Sequence, residues 1–211
     1  MQAGGAERVP EAEREPGDVL DVRGASVMNL AHRYMEDLQH PRRVARLSLD
    51  ILDGLAKAGL AEGTPEDREL LWAAGMLHDI GTAIDYDDHH KHSRYLILNG
   101  GLPGFTPVET AIVAQAARYH RKGMPVPGPM APLFGEGDAE RLDRCAALVR
   151  LAEDLERSRD QLVRSTSLAL HNGEVRMSLD IDGESAVPRW AVGRESALFE
   201  KAFHRELQVA P

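Results

Sequence analysis

Two periodicities divide this chain. From Ser26 to about Ser158 apolar residues recur every three to four positions, the spacing of helices with one buried face. Beyond that point Val175, Met177, Leu179 and Ile181 alternate with polar residues, the spacing of a half-buried strand. The first pattern predicts amphipathic helices over 26–38 and over 40–57, the second ending near Gly59. Thr64-Pro65-Glu66-Asp67 combines an N-cap, a first-turn proline and acidic residues, and so starts a helix that Gly81 is expected to stop. Thr106-Pro107-Val108-Glu109 is a capping box opening a helix to Gly123. The aperiodic Pro- and Gly-rich stretch 123–137 reads as a loop leading to a long helix over 138–158. Asn172-Gly173 is a two-residue hairpin signal that pairs 166–171 with the alternating strand. A last helix over 188–207 would cover one face of that hairpin through Trp190, Leu198, Phe199 and Phe203.

The expected architecture is therefore mainly α: a helical bundle with a small C-terminal β-hairpin and a closing helix. Residues 1–17 are polar, proline-containing and aperiodic and are expected to form a loose tail. Residues 18–160 would be the helical core, and 161–211 the hairpin and helix packed on it. With 211 residues, 43% of them hydrophobic, one sizeable core can be buried. The single cysteine, Cys145, excludes an internal disulfide and a thiolate-rich zinc site, and reads as a core residue in a reducing compartment. No apolar stretch reaches the length of a membrane span, and the first residues lack a basic-then-apolar leader, so a cytoplasmic location is expected. A net charge of −9 argues against general nucleic-acid binding, but not against a small anionic substrate, since local charge governs a site.

The chemistry concentrates on His78-Asp79, at the end of the apolar run 70–77. An imidazole and a carboxylate side by side on a buried helix are poor core formers unless a cation lies between them. A hydrogen-bonded core pair is the plain alternative. Most of the nine histidines fall at His40, His78, the cluster His89-His90-Lys91-His92, and His120, while Glu153-Asp154 lies in the long helix. Mixed imidazole and carboxylate donors suit Mn, Fe, Co, Ni or Zn better than Mg.

Spread over successive helices, His40, His78-Asp79, His90, His120 and Glu153 resemble the HD superfamily of metal-dependent phosphohydrolases. More closely, His90-Lys-His-Ser-Arg-Tyr-Leu-Ile-Leu-Asn99, Leu102-Pro-Gly-Phe105, Arg118-Tyr-His-Arg-Lys122 and Leu151-Ala-Glu-Asp-Leu-Glu-Arg-Ser158 resemble the helical C-terminal region of the exopolyphosphatase/guanosine pentaphosphate phosphohydrolase (Ppx/GppA) family, as does Leu198-Phe-Glu-Lys-Ala-Phe203. That family's actin-like domains, which carry its usual polyphosphate-cleaving site, find no room in this sequence, so the family's activity does not transfer with the resemblance; a competent ligand at every expected position makes a stand-alone HD hydrolase the expectation. The resemblance implies one or two divalent transition-metal ions held by His40, His78, Asp79, His90, His120 and Glu153, with His78 and Asp79 as the catalytic doublet and Asp79 bridging two ions. Glu153 stands where the superfamily more commonly has Asp, and neighbouring Asp154 competes for that place. Lys91, Arg94, Arg121 and Lys122 flank these positions and are the candidate substrate-binding cations, each alternatively an ordinary solvated charge. His92 is expected to face substrate or the outer partners of the ligands, and His89 to face solvent. Arg157 and Arg159 lie a turn or more beyond Glu153, where they are candidates to close the rim of the site, but surface ion pairing with Asp154 or Glu156 is the expectation.

The implied activity is hydrolysis of a phosphoester or phosphoanhydride in a small phosphorylated substrate: a nucleotide, a guanosine alarmone or polyphosphate. A non-catalytic metal- and phosphate-binding module serving a partner enzyme is the second reading, and oxygenase chemistry at a di-iron site a third. Aromatics are only 5% of the residues and supply no visible base-recognition platform. The exposed faces of the last helix and hairpin leave a homodimer open.

Overall fold

The computed structural model describes residues 22–182, 193 and 195–209. The expected tail, Trp190 and the start of the last helix at Pro188 lie outside the described residues. The fold is mainly helical with a small three-stranded sheet and a C-terminal helix, as the apolar periodicity predicts. Helices α1 (Val22–Tyr34) and α2 (Gln39–Lys57) are followed by α3 (Pro65–Leu77), a 3-10 turn at Ile80–Ala83, α4 (His89–Gly100) and α5 (Pro107–Tyr119). A second 3-10 turn, Gly128–Leu133, lies in the Pro- and Gly-rich connection, and α6 (Asp138–Leu155) completes the bundle. Among the described residues no helix is long and apolar enough to cross a membrane.

The start signals work as the sequence predicts. Thr64 accepts from the Asp67 N–H, and Thr106 and Glu109 form the reciprocal capping box. The second half of α3, Leu70–Leu77, is buried on every side, as are Ala111–Ala117 of α5. These helices are central because they have no polar face to present to water. α2 packs against α3 at Gly75, where a Cβ would come within 2.7 Å of the Ala45 Cα. α1 begins and ends four residues earlier than the pattern suggests, and α6 stops at Leu155 rather than Ser158.

Strands β1 (Val163–His171) and β2 (Glu174–Ile181) form the antiparallel hairpin, with Asn172 and Gly173 at φ of 51° and 87°, the left-handed pair that a type I′ turn requires. β1 starts three residues earlier than expected and carries an irregularity between Val163 and Ser165. The inner face of the hairpin rests on α2, where Leu168 fits over Gly54. The expected closing helix ends earlier, at Phe203, and has a different main packing partner. Over the described residues α7 spans Ser196–Phe203, packs mainly on α6, and ends with His204 in the left-handed region. Leu207–Val209 then form β3, which pairs in parallel with β2 through Val175 and Leu207. A helix continued to Leu207 would leave that edge of β2 without its hydrogen-bond partners.

Candidate metal centre

Five elements bring donor atoms to one point. His78 is the C-cap of α3 and His120 the C-cap of α5, and Glu153 lies in the last turn of α6. His40 enters from the first turn of α2 and His89 from the first residue of α4. Asp79 follows His78 directly and sits at the centre. Its Oδ1 lies 3.1 Å from His89 Nε2, 3.6 Å from His78 Nε2 and 3.7 Å from His120 Nε2, and its Oδ2 lies 3.8 Å from His40 Nε2. Glu153 Oε2 lies 3.0 Å from His40 Nε2 and 3.3 Å from His78 Nε2. Two groups of potential ligand atoms result, His40–His78–Asp79 and Asp79–His89–His120, each within 4.8 Å internally, with Asp79 common to both.

The imidazole tautomers are fixed from behind. Nδ1 of His78, His89 and His120 lies 2.6, 2.6 and 2.7 Å from the carbonyl oxygens of Gly75, Tyr86 and Ala117, three residues earlier in each case. A carbonyl can only accept, so each Nδ1 carries a proton, and in its neutral form each ring presents the lone pair of Nε2 toward Asp79. His89 and His120 then oppose two Nε2 atoms across 3.1 Å. Two lone pairs at that distance repel unless a cation lies against them. On the other side, His40 Nε2, His78 Nε2 and Glu153 Oε2 are buried and make no hydrogen bond of acceptable geometry among the described residues, despite their proximity. The donor set therefore fits a divalent cation better than it fits a hydrogen-bonded core pair.

The electrostatics agree. Burial opposes charge on His78, but Asp79 and then Glu153 outweigh it and raise the imidazole to about 9. Burial opposes ionisation of Asp79 too, yet His78 and the contact with His89 hold its carboxyl far below the usual range. Glu153 is held down in the same way by His40 and His78. Burial, then the positive charge at His78, pushes His120 down to about 3, which leaves it neutral and able to donate a lone pair. The field that retains a proton on His78 attracts a divalent cation more strongly.

Of the residues singled out in the sequence, the structure brings His40, His78, Asp79, His120 and Glu153 together. Glu153, not Asp154, reaches the cluster; Asp154 is engaged by Arg157 at 3.3 Å. His90 is buried but lies outside both donor groups, its ring centroid 6.0 Å from that of His89 and 6.5 Å from that of His120. His89 is not at the solvent: it is buried and takes the place expected of His90. The cause is Gly81, which does not terminate α3 but lets the first turn of α4 press against the 3-10 turn. A Cβ there would collide with the His89 carbonyl and the Ser93 N–H. Ser93 Oγ locks this contact, accepting from the Gly81 N–H at 2.9 Å and donating to the His78 carbonyl at 2.6 Å.

A cleft of about 370 Å³ opens onto the centre, its walls including His40, Asp79, Thr82, Tyr86 and Arg159. Arg159 was expected to pair with Asp154 or Glu156, but its Nη2 donates to Asp79 Oδ2 at 3.2 Å. Its backbone φ of 56° places it in the left-handed region, and the turn after α6 thereby aims the guanidinium inward. The cleft walls do not include Lys91, His92, Arg94, Arg121 or Lys122. Lys91 is paired with Asp88 at 2.7 Å, and Arg121 lies 6.0 Å from the Tyr86 ring centroid, one residue back from the opening. Arg150 is a further residue that sequence reasoning missed. Buried in α6, it donates to the carbonyls of Tyr119 and Gly123 at 2.9 and 2.6 Å and pairs with Glu195 at 3.1 Å, clamping the end of α5 where His120 projects.

The fold is thus a helical bundle whose helix ends gather imidazoles and carboxylates around one shared aspartate. The family model described as Ppx/GppA phosphatase, domain III, matches residues 22–187, and the chain belongs to that family. The match runs from the start of α1 past the end of β2, so it includes every member of the donor cluster.

Proposed function

We propose that this protein is an HD-type metal-dependent phosphohydrolase that cleaves a phosphoester or phosphoanhydride in a small phosphorylated substrate. The observation that carries this reading is Asp79: a buried carboxylate shared by two donor groups, His40–His78 with Glu153 on one side and His89–His120 on the other. Membership of a phosphatase family favours phosphorus chemistry over oxygen chemistry at such a centre. Ions of the first transition row suit the donors, and when bound there they would acidify water and take up charge on phosphoryl oxygens.

The protein's own residues do the rest. The backbone carbonyls of Gly75, Tyr86 and Ala117 hold the three imidazoles in one tautomer. Asp79 and Glu153 stay ionised throughout the neutral range, because the surrounding imidazoles favour their charged forms. Arg159 stands at the mouth and can turn from Asp79 to an incoming phosphoryl oxygen, being more than half exposed at 57%. The apolar packing behind His78 and His120 keeps bulk water from the rear of the site.

The test is metal content and turnover of Asp79→Ala beside the parent protein, with a generic phosphodiester and a nucleotide panel in the presence of manganese. Loss of the shared ligand is expected to weaken metal binding by more than the roughly 10- to 100-fold that follows loss of an outer partner, and to abolish hydrolysis with the helical content retained. Normal turnover in that variant would overturn the assignment. A parent protein that binds metal tightly but hydrolyses nothing would favour the non-catalytic binding module.

A further inference from the structure

The walls of the cleft are unlike those of a polyphosphate channel. A chain of phosphates needs a run of cations along its path. Here the lining includes Glu36 and Asp37 and, among the described residues, offers Arg159 as its only Lys or Arg. Besides the donors His40 and Asp79 and the hydroxyl of Thr82, the wall includes aromatic and apolar residues: Tyr34 at the end of α1, Pro41 in the first turn of α2, and Tyr86 on the segment before α4. Tyr86 is 66% exposed, although a large aromatic residue ordinarily hides its ring. Its position is fixed from below, since its carbonyl accepts from His89 Nδ1 and its ring lies 5.5 Å from the His89 ring. The exposed ring is thus held at a set place beside the donor cluster.

We propose that the cleft takes a nucleoside monophosphate: one phosphoryl group at the metal centre and Arg159, and a planar base against Tyr86 and Tyr34. The inference rests on the phosphohydrolase reading for the fate of the phosphate, but not for recognition of the base. Three features carry it. An exposed aromatic ring offers a stacking face that any base can use. The carboxylates of Glu36 and Asp37 can accept hydrogen bonds from ribose hydroxyls or base N–H groups, and they repel further phosphates. A volume of about 370 Å³ suits a ligand of this size. In the reaction a water oxygen bonds to phosphorus as the ester P–O bond breaks. One water proton ends on the leaving ribose oxygen, and the products are nucleoside and inorganic phosphate.

Two measurements test this. The first is binding of adenosine, guanosine, cytidine and uridine to the metal-free full-length protein by saturation-transfer NMR and calorimetry. At least one nucleoside is expected to bind. Tyr86→Ala is expected to weaken that binding roughly tenfold, with affinity restored in Tyr86→Trp and Tyr86→Phe. The second compares turnover of the matching monophosphate, ribose 5-phosphate and tripolyphosphate by the manganese-loaded protein. The expected order of kcat/KM places the nucleotide at least tenfold above ribose 5-phosphate, with tripolyphosphate lowest and improved by Glu36→Lys. If no nucleoside binds and ribose 5-phosphate is cleaved as fast as any nucleotide, base recognition is overturned while the phosphohydrolase stands. If nucleosides bind through Tyr86 but no phosphate ester is cleaved, the cleft assignment holds and the hydrolase reading falls. Preferred cleavage of tripolyphosphate would overturn the inference outright.

Discussion

Arg159 shows how much of this centre depends on one backbone torsion. A non-glycine residue at φ of 56° costs on the order of 1 kcal/mol relative to the right-handed region. The return is a guanidinium on Asp79 instead of on the protein surface. Arg159→Gly is therefore expected to relieve the torsion and lose the cation together. Thermal melting should rise by up to about 2–4 °C for a chain of this size, while kcat/KM toward phosphoesters falls roughly tenfold or more. Metal content should not decrease, because a competitor for Asp79 has been removed. Arg159→Ala keeps the torsional cost and should show the kinetic loss without the gain in melting temperature. The sequence contains nothing that distinguishes Arg159 from Arg157, which does form the surface pair expected of both. The difference arises where the chain leaves α6, and a left-handed arginine has no signature in composition or spacing. His78, Asp79 and Glu153 were legible for the opposite reason: charged and titratable residues interrupting apolar helical runs mark a buried polar site before any coordinates exist.

Element by element, the sequence is clearest where a local signal closes a local structure. Thr64-Pro65, the Thr106–Glu109 box and Asn172-Gly173 each specify their own hydrogen bonds, and α3, α5 and the hairpin begin or turn where these residues stand. β3 could not be read in this way, since three residues carry no period and their partner is a strand more than thirty positions away. The choice between His89 and His90 is of the same non-local kind. Adjacent residues on a helix differ by about 100° in direction, and which of them faces Asp79 is set by the contact of α4 with Gly81. Gly81→Ala would drive a methyl group into the first turn of α4 and break the Ser93 link to the end of α3. A loss of about 2–4 kcal/mol is expected, together with loss of the His89–His120 donor group and retention of the other, read by metal stoichiometry and chemical denaturation. Arg150 supports the same group from behind. In Arg150→Met two backbone carbonyls and Glu195 lose a buried donor, with an expected cost of about 3–5 kcal/mol. If Arg150 serves only general stability, metal affinity will track folding alone; as a clamp on the end of α5, it should lower the affinity of the His120 group even under conditions where the variant is fully folded.

At the scale of the whole molecule, the bundle commits two ionised carboxylates and four imidazoles to one partly buried cluster, an arrangement that costs folding free energy until a cation joins it. The native state alone assembles these donors, so a divalent ion should bind the folded chain far more tightly than the unfolded one and stabilise it by mass action. At a free-ion concentration near 100 times the dissociation constant the gain is about 2.7 kcal/mol, which corresponds to a rise in melting temperature of roughly 5–11 °C for a domain of this size. Manganese, cobalt or zinc should produce it and magnesium should not, because imidazole is a poor ligand for an ion that prefers oxygen. The two donor groups are unequal. His40, His78, Asp79 and Glu153 offer four ligands, whereas Asp79, His89 and His120 offer three, so a metal titration followed by melting should rise in two steps, the first at lower concentration. His120→Ala should remove the second step alone and Asp79→Ala both. A single step that His40→Ala and His120→Ala each abolish would mean that one ion takes all the donors at once, with Asp79 as an ordinary ligand and not a bridge.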